Sequence, residues 1–136
     1  MPVESDEGIR EVLDCETIAV VGCSATASKA AHEIPKYMGE HGYEIIPVNP
    51  YADEVLGRSA YDSVTGVEEE IDVVDVFRPS EEVPGIVDEV LERDDVDAVW
   101  LQLDIRHDEA GERVEASGRR FVQDRCLKVE HGRLVG

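Results

Sequence analysis

The chain has 136 residues, 42% of them apolar, and its 32 Asp and Glu against 13 Lys and Arg give a formal net charge of −19. That length fits one domain over 1–136 with an ordinary core. The charge excludes nucleic-acid binding through a basic face, and no run approaches the roughly 18 apolar residues that a membrane-spanning helix needs.

The opening, MPVESDEGIREVLD, is acidic and reads as neither a secretory signal nor a transit peptide. Its Gly8–Leu13 stretch is amphipathic, so a helical segment is expected within 1–16, ahead of a sheet with helices over 17–136. Five short β-branched runs follow, at Thr17–Val21, Glu44–Val48, Asp72–Phe77, Asp97–Leu101 and Arg120–Val122. After the first run a loop leads to a helix whose apolar positions are Ala30, Ile34, Tyr37, Met38 and His41, with Gly42 as its stop. Pro35 falls either in the first turn of that helix or at a kink. Ser80 is placed to cap the next helix, whose apolar face is Val83, Ile86, Val87, Val90 and Leu91. A further helix is expected from about His107 to Ser117, ended by Gly118, and an apolar-rich tail, Cys126–Val135, closes the chain. Near-continuous apolar strands joined by helices predict an α/β fold. The expected form is a Rossmann-like, doubly wound, five-stranded parallel sheet in the order 3-2-1-4-5, with helices on both faces. A ligand is then expected beyond the carboxyl ends of the strands, near a switch between strands one and four.

Bases are scarce in this chain, yet Lys29, Arg78, Arg106 and Arg125 follow four of the five strands. They point to a phosphate-bearing ligand, unless they only pair with local acids. The turn Gly22–Cys23–Ser24 agrees with an anion site: Gly22 lets backbone approach closely, and Ser24, Thr26 and Ser28 offer hydroxyls before a helix start. The loop has one glycine where a dinucleotide fingerprint has three, and Asn49 stands where an acid would hold the ribose of NAD. The P-loop pattern is absent.

Only three of the bases are lysines, and the acids are spread along the whole chain. This distribution fits a protein of a salt-rich cytoplasm better than a binder of basic partners, which would gather its acids on one face. Cys15, Cys23 and Cys126 are too few for a disulfide framework, and Cys126 with His131 does not make a metal site.

The ordered segments VVGCS, HGYEIIPVNP, VDVFRPSEEVP, VWLQLDIR and QDRCLKVEH resemble the small, single-domain CoA-binding protein family, relatives of the CoA-binding domain of succinyl-CoA synthetases. The likeness runs from about Thr17 to Leu134. It implies a Rossmann-like fold that binds coenzyme A or an acyl-CoA as a non-catalytic carrier, sensor or regulatory module. By position, Gly22, Cys23 and Ser24 would meet the pyrophosphate, with Lys29 assisting, and Asn49 and Pro50 would shape the adenosine side. Phe77 and Arg78 would face the nucleotide end, Gln102 the pantetheine path, and Asp124, Arg125 and Cys126 the far side. Two departures stand out: Lys29 where the family often has Arg, and Asp104, whose carboxylate would crowd the ligand, where it often has Gly.

Bland readings stand beside these. Phe77 ends an apolar strand, Trp100, Tyr37 and Tyr43 read as packing residues, and Asp75 inside an apolar strand needs a hydrogen-bonding partner. Cys126 beside Arg125 suits a stabilised thiolate, yet a buried, inert cysteine is the favoured reading, and no third group orients His131 as a base, so no enzyme is predicted. Two alternatives stay open: an NAD(P)-binding redox sensor, and a small acyl- or thiol-transfer enzyme using Cys126. The expected partners are CoA or acyl-CoA, with no nucleic acid or membrane, and a homodimer is allowed.

Overall fold

The apolar runs become parallel strands buried on both faces in the computed structural model, which describes residues 2–136. Helix α1 (Asp6–Leu13) is capped by Ser5, whose Oγ accepts the Gly8 N–H at 3.1 Å. Strand β1 (Thr17–Val21) leads into α2 (Ala30–Glu40), followed by β2 (Glu44–Val48). A small antiparallel hairpin, β3 (Glu54–Val55) and β4 (Arg58–Ser59), comes next, and then β5 (Val73–Val76) and α3 (Val83–Leu91). The chain finishes with β6 (Ala98–Leu101), α4 (Asp108–Ala116), β7 (Arg120–Val122) and α5 (Leu127–Leu134). No helix among the described residues is long and apolar enough to cross a membrane.

The five parallel strands lie in the order β2-β1-β5-β6-β7. In the numbering of the five predicted runs this is 2-1-3-4-5, which corrects the expected 3-2-1-4-5. The third run does not lie outside β2. It pairs with β1, with Ile18 opposite Val73 and Val21 opposite Val76. The reason lies in the connection from β2 to β5. Its Tyr61 occupies the far edge of β2: the Tyr61 N–H donates to Pro47 O at 3.0 Å, and the Asn49 N–H donates to Tyr61 O at 2.8 Å. The free edge of β1 is then the place left for β5. The switch in the sheet therefore falls between β1 and β5, and not between the first and fourth runs.

Alternation along the strands makes two cores. One face carries Ala19, Val74, Val76, Val99, Leu101 and Phe121 against α3 and α4. The other carries Ile18, Val20, Val73, Trp100 and Val122 against α1, α2 and α5. Gly42 and Gly118 follow α2 and α4 where stops were expected. His107 caps α4 by accepting the Ala110 N–H at 3.1 Å. Ser80 does not cap α3. That helix is entered through a 3-10 turn, Ser80–Glu82, and the Ser80 hydroxyl accepts the Arg106 N–H at 3.1 Å.

Candidate functional site

The carboxyl ends of β1, β2 and β5 surround a cavity of about 410 Å³, open to solvent, at the switch point of the sheet. The loop after β1 contributes Gly22, Ser24 and Lys29, the segment after β2 contributes Asn49, Pro50 and Tyr51, and the end of β5 contributes Phe77 and Arg78. Asp62, Ser63, Glu82, Ile86 and Glu89 complete much of the far wall.

Local chemistry fixes each of these loops. Gly22 sits at φ +84°, in the left-handed region, and a Cβ there would come within 2.9 Å of the Arg78 Cδ. Only glycine lets the arginine stem lie across the loop. Ser24 is held twice: its N–H donates to Ala31 O at 3.0 Å, and its Oγ accepts the Thr26 N–H at 3.0 Å. The Ala31 carbonyl is available because Pro35, four residues on and inside α2, has no N–H to give it. Asn49 ties two loops together, donating from Nδ2 to Cys23 O at 2.9 Å and accepting the Tyr51 N–H on Oδ1 at 2.8 Å.

The four bases at the strand ends do not share one role. Arg78 pairs with Glu82, Arg106 with Asp124, and Arg125 with Glu130. Lys29, exposed on the cavity rim, has no carboxylate partner among the described residues. Lys29 is thus the base left uncommitted toward the cavity.

Seven of the residues named from the sequence come together in its lining: Gly22, Ser24, Lys29, Asn49, Pro50, Phe77 and Arg78. The others stand outside it. The Cys23 side chain is fully buried, and burial, with Asp75 nearby, pushes its thiol up to about 12. Gln102 is buried too, donating to Asp75 Oδ1 at 2.7 Å and accepting the Leu127 N–H at 3.4 Å. Asp124 accepts the Asp104 N–H at 2.7 Å, and the Arg125 carbonyl accepts the Trp100 Nε1–H at 2.8 Å. Cys126 is half-buried at the start of α5. Asp104 stands outside the cavity lining, in a left-handed turn at φ +70°, a conformation that Asp tolerates better than most residues.

The tail helix does not fold over the cavity. It packs against α1 and α2, where His131 Nδ1 meets the Tyr37 hydroxyl at 2.9 Å, and burial holds the His131 imidazole below its usual value. Tyr51, Asp62 and Glu82 were missed from the sequence. Glu82 had a legible signal, four residues after Arg78 across a turn, and Tyr51, 90% exposed at the rim, is an unexplained surface aromatic.

Known proteins give this geometry its context. A family model described as a CoA binding domain matches residues 16–132. The uncharacterized protein YneT of Bacillus subtilis is 42% identical over 124 residues, covering 90% of this chain and 91% of that protein. The solved structure of a hypothetical protein from Pyrococcus horikoshii superposes with a TM-score of 0.93 at 36% identity, covering 100% of this chain and 97% of that one. ADP-forming acetate–CoA ligase II of Archaeoglobus fulgidus is 28% identical over 131 residues, and the match takes in 94% of this chain but 19% of the ligase.

Proposed function

The chain belongs to the CoA binding domain family, and from that premise we propose that it binds coenzyme A or an acyl-CoA in the cavity at the β1–β5 switch, as a carrier, sensor or regulatory module. The observation that carries this reading is the cavity itself. An uncommitted lysine, a glycine turn, an arginine and an apolar ring converge where an open α/β sheet receives nucleotides. Lys29 would contact a phosphate as a point charge, Asn49 and Pro50 would shape the nucleoside side, and Phe77 would offer its ring. Gln102, Asp124, Arg125 and Cys126 would act at most from the far end of the ligand, beyond the cavity. Asn49 spends both ends of its amide on loop contacts, which weakens a ribose-holding role and with it the NAD(P) alternative. The Arg125 guanidinium is engaged by Glu130, which leaves a Cys126 transfer reaction with less support.

Calorimetric titration in molar KCl with CoA, acetyl-CoA and NAD tests the proposal. Saturable binding of CoA but not NAD is expected. Lys29→Ala should weaken CoA binding about tenfold or more, the scale of one lost charge-assisted contact. Binding of NAD alone, or CoA binding indifferent to Lys29, would count against it.

A further inference from the structure

Arg78 does not meet the cavity with its guanidinium free. Its Nε and Nη2 donate to the two oxygens of Glu82 at 3.1 and 2.7 Å, four residues apart across the turn that opens α3. That edge of the guanidinium is the fork with which arginine takes two oxygens of a phosphate. Both side chains line the cavity and are close to half exposed, 42% and 45%. The arginine stem is fixed across Gly22. The Glu82 carboxylate has no other hydrogen-bond or ion-pair partner among the described residues, so it is the half of the pair that can leave. The pair also holds the Glu82 carboxyl below its usual range.

We infer that Glu82 is an internal stand-in for a ligand phosphate: it holds the Arg78 fork at the cavity wall, and an incoming anion must displace it. Glu82 thereby sets how tightly the cavity takes phosphates. This deepens the CoA reading and rests on it for the identity of the ligand. The exchange swaps one charge-assisted pair for another, so its scale is that of an exposed ion pair, about three- to fivefold in affinity. Salt screens both pairs, and the carboxylate competes only over the short distance of the pair.

The test compares wild type, Glu82→Gln, Glu81→Gln, Arg78→Ala and the Arg78→Ala/Glu82→Gln double variant, each titrated calorimetrically with CoA and with inorganic pyrophosphate. Glu81 is an exposed acid of the same turn outside the cavity lining, so Glu81→Gln removes the same charge without freeing Arg78. Glu82→Gln should bind both ligands about three- to fivefold more tightly, Glu81→Gln less than twofold. The gain should vanish in the Arg78→Ala background. No gain, equal gains from both glutamates, or a gain that survives Arg78→Ala would overturn the inference and leave CoA binding standing. Tighter pyrophosphate binding by Glu82→Gln, with CoA ignored by every variant, would keep the exchange and remove CoA as the ligand. If neither ligand binds any variant, both fall.

Discussion

Asp75 sits in the middle of the sheet, opposite Val20 on one side and Trp100 on the other, and is fully buried. Gln102 satisfies its Oδ1, while its Oδ2 has no hydrogen-bond partner. Burial raises the carboxyl to about 7, and the Gln102 bond only partly opposes the rise. The unfolded chain releases this proton near the ordinary 3.8. Between those values the folded state binds the extra proton, so the stability contributed by Asp75 is present below about 4 and is lost as pH rises toward 7. The gap corresponds to roughly 4 kcal/mol, of which an unpartnered amide in the substituted residue would return about half. Asp75→Asn should therefore be more stable than wild type at pH 8, by of order 2 kcal/mol, with the advantage gone by pH 4. His131 works in the opposite sense, resisting protonation as pH falls below its usual 6.5, but it is common to both proteins and cancels in the difference. Urea melts across this range decide the matter, and a difference independent of pH would mean that Asp75 is not the titrating group.

Helix α2 shows how one residue sets the loop beside it. Pro35 leaves the Ala31 carbonyl without its helical donor, and the Ser24 N–H takes the place. Giving residue 35 an N–H, by Pro35→Ala, restores a competitor for that carbonyl. Amide exchange at Ser24 should then quicken about fivefold, the worth of one net hydrogen bond near 1 kcal/mol, with exchange in β1 unchanged. Unaltered protection at Ser24 would show that the loop holds itself without the helix. The sequence left Pro35 between a first turn and a kink, because the period of Ile34, Tyr37 and Met38 does not locate the start of the helix. The strands themselves were legible, since runs such as Ile18–Val21 and Val73–Val76 can be buried on both faces. Their order was not, because such a run serves equally at either edge of β1, and the choice is made by the Tyr61 bridge on β2, a backbone contact with no residue signature. The same holds for the site. Residues adjoining strand ends, Gly22, Asn49 and Arg78 among them, were readable from their positions, whereas Asp62 and Ser63 reach the cavity from a connection whose path the apolar pattern does not reveal.

For the whole molecule the governing quantity is the net charge of −19, carried by 32 carboxylates against 13 bases. Many of the bases are already paired: Arg58 with Glu44 and Glu69, Arg93 with Asp95, Arg113 with Asp88, Arg120 with Glu11, and Arg133 with Asp6 and Glu130. The unmatched carboxylates repel one another at low salt and favour an expanded chain. Salt acts on both terms. Exposed pairs contribute about 0–1 kcal/mol each and weaken when screened, whereas Arg93–Asp95 is the most enclosed, with side-chain exposures of 13% and 22%, and loses least. With more than twice as many acids as bases, relief of repulsion outweighs loss of attraction. Shortening the Debye length from about 8 Å at 0.15 M to 3 Å at 1 M removes most of the long-range part. A thermal melting series in KCl should then show stability rising by of order 1–2 kcal/mol between 0.05 and 1 M, a Tm increase of about 3–10 °C for a chain of this length. Screening alone would level off there, whereas a continued rise toward 2 M is the outcome that fits a surface suited to a salt-rich cytoplasm, where a hydrated carboxylate shell itself stabilises the fold. Full stability at 0.05 M KCl, flat thereafter, would mean that the paired arginines already balance the repulsion and that the acidity serves some end other than life in salt.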